Sequence, residues 1–297
     1  MAGAVRTVSC ALLCDRLPLV EIHRGPGARP QGPSREDRPA HHRARHSVAR
    51  SGGGVTGARH IAITGATGGI GAALTRRFAG AGYNVSAIGR NGALLDELAA
   101  GSDNIAAIRC DVGDGPDCAR GFIEAAERFG PPDSLIAAAA VYPKAFFLDS
   151  DHDHLAEVLR INVLGVANSV RAVLPAMLER NYGRVVVVGS LAGMRPLPGS
   201  LAYSVSKWTL HSLVRGIAGE IDRTRYPDVL VNEFSPGATR TAMSTYGNDP
   251  EVIFDWIRPL VECGPGGPHG RFFQQGREIR IGESWKAAIK RVVLRRG

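Results

Sequence analysis

The sequence predicts an α/β fold: one doubly wound parallel sheet covered by helices on both faces, in a single domain. Three observations predict it. From His60 onward, short runs of apolar residues alternate with longer amphipathic ones. Strands apolar on both faces belong to parallel sheets that carry a helical layer on each side. A glycine-rich octet stands between the first apolar run and the first amphipathic one, the strand–turn–helix context of a phosphate-binding turn. The alternation also runs to about residue 235 without an internal repeat or a second folding unit.

The elements follow in order. "HIAIT" is the first strand, and the spacing predicts a helix over 70–80. "NVSAIG" is the second strand, followed by a helix over 94–100. "NIAAIRC" precedes a helix over 118–129, and "SLIAAAAV" precedes a long helix from 154 to about 180. "GRVVVVGS" and a helix from about 201 to 223 lead to "DVLVNEFS", which closes the series. The longest apolar run, 135–142, is far short of the ~18 residues that span a bilayer, so no membrane segment is expected.

The chain has 297 residues and a formal net charge of +8, unevenly spread. Residues 1–59 hold ten Arg against four acids, and 258–297 hold nine basic against three acidic residues. The stretch between is mildly acidic, with seventeen against twenty-one. The first 58 residues are rich in Arg, Pro, Gly and His with little to bury, so they read as a disordered basic extension. The domain proper is then 59–297, and the basic tail is expected to be solvated rather than bound to nucleic acid. Five cysteines (Cys10, Cys14, Cys110, Cys118 and Cys263) show no metal-ligand spacing. An odd number cannot all pair within one chain, and the thiols suggest a reducing, cytoplasmic setting.

The octet is "TGATGGIG", residues 64–71. Gly65, Gly68, Gly69 and Gly71 let the backbone approach a pyrophosphate, and Thr67 and Ile70 lie in the same turn, whose helix supplies free N–H groups. The second strand ends in Gly89 and Arg90. An acid there would select NAD; a cation with room beside it suits a 2′-phosphate, so NADP is expected over NAD. Asp111, after the third strand, either accepts from an adenine amino group or caps the next helix.

In "YSVSK", Tyr203 and Lys207 are one helical turn apart and share a face. A phenol titrates near 10, and a neighbouring ammonium favours the phenolate, so the pair is a usable general acid. Ser190 ends a strand at the carboxyl edge, where open sheets bind ligands. Asn162 is an unfavourable choice inside a helix and could bend it.

Taken together, TGATGGIG, Asp111, Asn162, Ser190, Y-x-x-x-K and "SPGATRT" resemble the short-chain dehydrogenase/reductase family over about 60–245. The resemblance implies a Rossmann fold and hydride transfer between NADP(H) and a carbonyl or secondary alcohol. It implies that Tyr203 protonates the substrate oxygen, Ser190 orients the carbonyl, Lys207 lowers the tyrosine pKa and holds the nicotinamide ribose, and Asn162 positions a water. Gly65, Thr67, Gly68, Gly69, Ile70, Gly71, Arg90, Asp111, Val112, Ala138, Tyr203, Lys207, Pro236, Gly237 and Thr239 are the implied cofactor contacts. No metal is implied. The glycines also satisfy the pattern of sugar-nucleotide epimerases, but only ninety residues follow Lys207, which favours the simple single-domain branch. "GPHGRFF" faintly resembles a C-terminal strand region.

One departure stands out: Ala137, Ala138, Ala139 and Ala140 replace the family's usual N-N-A-G. This leaves a non-catalytic, NADP-binding regulator or scaffold as the alternative. A substrate lid is expected over 238–270, with Met243, Phe254 and Trp256 facing an apolar ligand or packed in the core. The family habit of pairing through two long helices implies a homodimer or homotetramer.

Overall fold

The structure, a computed structural model, describes residues 58–280. The expectations for the basic N-terminal extension and for Cys10 and Cys14 fall outside the described residues.

The sheet runs β3(Ile105–Arg109), β2(Asn84–Gly89), β1(His60–Thr64), β4(Ser134–Ala137), β5(Gly183–Val188), β6(Val229–Ser235), β7(Phe272–Gln274) and β8(Arg277–Ile279). The first seven are parallel and β8 returns antiparallel to β7. Strand order reverses between β1 and β4, and the crevice at such a reversal is where open sheets bind ligands. Helices α1(Gly69–Gly80), α2(Gly92–Ala99) and α7(Ile253–Glu262) cover one face. Helices α3(Gly115–Phe129), α5(Gly165–Glu179) and α6(Leu201–Glu220) cover the other. All residues of β1, β5 and β6 are buried, as two-sided apolar strands require.

Several boundaries differ from the sequence expectation, each for a capping reason. Helix α2 begins at Gly92 because the Asn91 side chain accepts from Leu94 N–H. Helix α3 begins at Gly115 because Asp114 accepts from Asp117 N–H. Helix α6 stops at Glu220, where Asp222 gathers the N–H and hydroxyl of Thr224 into a turn. Strands β7 and β8 lie beyond the predicted series; at three residues each, they are too short to show a period.

The expected long helix is one helical run in three parts. α4(His152–Leu159) passes into a π-helical turn, Arg160–Leu164, and then into α5. By composition the stretch Asp153–Glu179 is long and apolar enough to cross a membrane. Here its Val166, Val170, Val173 and Met177 are buried against the sheet.

Candidate active site

The glycine turn joins β1 to α1. Gly65 has φ +70°, open to glycine at little cost, and a side chain there would meet the Ala139 backbone at 2.7 Å. At Gly71 an added Cβ would lie 2.2 Å from the Gly65 carbonyl, so the turn closes only on glycine. Gly68 caps α1 without a side-chain hydrogen bond, the first turn holds no acid, and Gly68 and Gly69 are exposed. A helix N-terminus with unengaged N–H groups and an open backbone fits a pyrophosphate.

The four-alanine segment is braced by other means than side-chain amides. Thr64 Oγ1 accepts from Ala138 N–H at 3.2 Å and from Ala139 N–H at 3.3 Å. Asn162, fully buried in the π-helical turn, accepts from Val141 N–H at 2.8 Å and donates to Val141 O at 3.0 Å. It also donates to Ser206 Oγ at 3.0 Å, tying the β4 loop to α6. The extra residue of a π turn exposes backbone groups and is frequent at functional sites.

Asp111 accepts from Gly113 N–H at 2.9 Å and pairs with Arg160 at 3.1 Å. Burial raises its pKa, but those two partners outweigh it and hold the carboxyl below its usual range. The expectation that Asp111 caps the next helix is corrected: Asp114 caps α3. Val112 buries its side chain beside Gly165. Arg90 stands exposed at the end of β2.

Ser190, Tyr203 and Lys207 converge at the carboxyl edge of β5. Ser190 caps a short 3-10 turn, Leu191–Gly193, by accepting from Ala192 N–H at 3.1 Å. Lys207 is buried and donates to Val188 O at 2.8 Å, its ammonium 5.5 Å from the centre of the Tyr203 ring. Burial pushes the phenol up to about 12, opposed by a hydrogen bond with Ser190. The expectation that Lys207 lowers this pKa is not met in this state, since the ammonium bonds the strand rather than the phenol. Burial brings Lys207 itself down to about 8. Tyr142, which sequence reasoning passed over, stacks on Tyr203 with ring centres 4.4 Å apart. Nothing marked it, since its placement depends on the course of the loop after β4.

Pro236 and Gly237 follow β6, with Gly237 at φ +73°. Thr239 is buried, and Thr241 reaches back to the glycine turn, where its methyl would be 2.7 Å from a Cβ on Gly69. Of the expected lid, 253–262 is instead a fixed core helix. Phe254 is buried edge-on to Phe78 at 4.9 Å, and Trp256 packs against the same cluster; Met243 is exposed.

A family model described as short chain dehydrogenase matches residues 59–251. The chain belongs to the short-chain dehydrogenases. It is 33% identical over 198 residues to an acetoacetyl-CoA reductase of Allochromatium vinosum, covering 65% of this chain and 79% of that one. It is 34% identical over 201 residues to oxidoreductase UcpA of Salmonella typhimurium, covering 64% and 75%. Among solved structures, a short-chain dehydrogenase/reductase from Brucella melitensis superposes with a TM-score of 0.66 at 27% identity, covering 73% of this chain and 94% of that one. The chain is thus an NAD(P)-dependent oxidoreductase of this family, so the Ala137 to Ala140 departure does not point to a non-enzyme.

Proposed function

We propose that the protein reduces a carbonyl to a secondary alcohol, or the reverse, with NADP(H) as cofactor and Tyr203 as general acid and base. The observation that carries this is the convergence of Ser190, Tyr203 and Lys207 beside the strand-order reversal, next to an uncapped glycine turn. A bound nicotinamide supplies or accepts the hydride. With its pKa near 12 the phenol is protonated at neutral pH, ready to donate to a substrate oxygen in the reductive direction. Ser190 orients that oxygen, and Lys207, leaving Val188 O, holds ribose hydroxyls. Asn162 keeps the loop after β4 in register with α6. Gly65, Thr67, Gly68, Gly69, Ile70 and Gly71 would hold the pyrophosphate, Arg90 would take a 2′-phosphate, and Asp111, Val112 and Ala138 would hold the adenosine. Pro236, Gly237 and Thr239 border the nicotinamide end.

The exposed apolar face of α6, with Leu201, Val205 and Trp208, suits pairing with a second copy. The free thiols of Cys110, Cys118 and Cys263 suit a reducing cytoplasm. The test is Tyr203→Phe: turnover should fall about 10²- to 10⁴-fold, the usual contribution of a general acid, with NADPH affinity kept. Retained turnover would overturn the reading.

A further inference from the structure

Tyr203, Lys207 and His211 succeed one another at four-residue intervals and form one row along α6. Opposite the row, β6 carries Glu233, which continues the buried stripe of Val229 and Val231 toward the same helical layer. A carboxylate only 2% exposed in an otherwise apolar stripe costs several kcal/mol unless charge or hydrogen bonds compensate it. His211 supplies one compensation, its Nδ1 lying 3.0 Å from Glu233 Oε2. The other carboxylate oxygen points beneath Gly189, where an added Cβ would lie 2.0 Å from it. Gly189 directly follows Val188, whose carbonyl holds the Lys207 ammonium. The acid and the amine therefore lie against the same strand end, on the side of the sheet covered by α6, without touching each other.

We propose that Glu233, held by His211, is the electrostatic partner of Lys207, its carboxylate holding the ammonium charged as the pH rises above neutral. Glu233 is a positioning residue: it acts through the lysine and touches no reacting atom. Among the described residues, the groups around it leave Lys207 as its one cationic neighbour. Across β5 it faces Val187, and across β7 it faces Phe272. Arg271 offers Glu233 only its backbone carbonyl, at 2.9 Å, while its guanidinium turns to Glu278 at 3.5 Å. Along α6, burial and Arg215 one turn further both lower the His211 pKa. Lys207 is the charge that draws the Glu233 pKa back down against burial, and Glu233 is the charge that raises that of Lys207. Among the described residues the Nε2 atom of His211 is buried without a hydrogen-bond partner, so the carboxylate is the ring's polar anchor, with Trp208 and Phe272 packed beside it.

The inference rests on Lys207 serving Tyr203, and its test does not require turnover. The chain contains four lysines, Lys144, Lys207, Lys286 and Lys290. In full-length protein labelled at lysine Cε, the Lys207 resonance can be assigned by its loss in Lys207→Arg and titrated by NMR. In Glu233→Gln the Lys207 midpoint should fall by about 1 to 3 pH units, the usual effect of removing an adjacent opposite charge. A midpoint unchanged in a folded Glu233→Gln protein overturns the proposal, even if the variant melts earlier. If Glu233→Gln does not fold, Glu233→Asp retains the charge but withdraws it by one methylene. It should then lower the midpoint by a smaller amount, and an unmoved midpoint overturns the proposal equally. Where turnover is measurable, the alkaline limb of kcat/KM should shift in step. A shifted Lys207 midpoint in a protein without reductase activity would support the counter-ion and sink the catalytic reading; the reverse pattern would do the opposite.

Discussion

Lys207 and Glu233 pull each other's titration in opposite directions inside the same layer. Burial raises the Glu233 pKa from 4.5 to about 8. The folded state therefore binds the carboxyl proton more tightly than the unfolded chain does. The stability this gives is complete below about pH 4.5 and is lost as pH rises through about 8. Glu233→Gln cannot ionise, so its thermal midpoint should gain on the native protein's between about pH 5 and pH 9; a constant gap would contradict this. At the cofactor end, if Arg90 reads a 2′-phosphate as proposed, Arg90→Asp should weaken NADPH relative to NADH by about tenfold or more, worth about 1.4 kcal/mol per tenfold. Tryptophan fluorescence titrations with both nucleotides read it. The residues proposed to react were legible because spacing puts Tyr203 and Lys207 on one helical face. Glu233 carried a signal that went unread: an acid in the middle of "VLVNEFS", a strand apolar on both faces. His211 carried none, since a histidine on a long helix shows its role only when β6 is laid against it.

At the level of elements, α7 packs into the core rather than over the site. Its Ile253, Phe254, Ile257, Leu260 and Val261 are buried, and Arg77 stacks 4.5 Å from the Phe254 ring. Phe254→Ala should cost about 3 to 5 kcal/mol by urea unfolding, the usual cost for a buried phenylalanine, with KM unchanged. A raised KM with normal stability would restore Phe254 to a lid. Gly65→Ala forces a side chain into positive φ against the Ala139 backbone and should cost about 1 to 3 kcal/mol, with weakened NADPH binding in the same titration. The sequence displayed strands β1 to β6 and their helices because two-sided burial leaves uninterrupted apolar runs. It left the ends of α2 and α3 short because a single Asn or Asp cap sets a boundary that periodicity cannot see. The residues of α7 read as part of a lid because their amphipathic pattern does not show which partner the apolar face meets.

For the whole molecule, the exposed apolar face of α6 is the proposed pairing surface. Trp208 is 49% exposed, beside Val205 and Leu201, more apolar surface than a lone helix face usually leaves to water. If the chain pairs through this face, Val205→Glu with Trp208→Glu should shift the species seen by light scattering from dimer or tetramer toward monomer. An unchanged mass would place the contact elsewhere.

The close approach of Gly189 and Glu233 binds two strands into a single hereditary unit. As long as the acid stands at 233, position 189 admits no side chain, since the first carbon of one would overlap the carboxylate. Should 233 first become small, 189 is released and can acquire alanine or serine in a later step. The opposite order passes through a misfit. Descent through this pair therefore follows an order: the acid leaves before 189 is filled, and 189 is emptied before the acid returns.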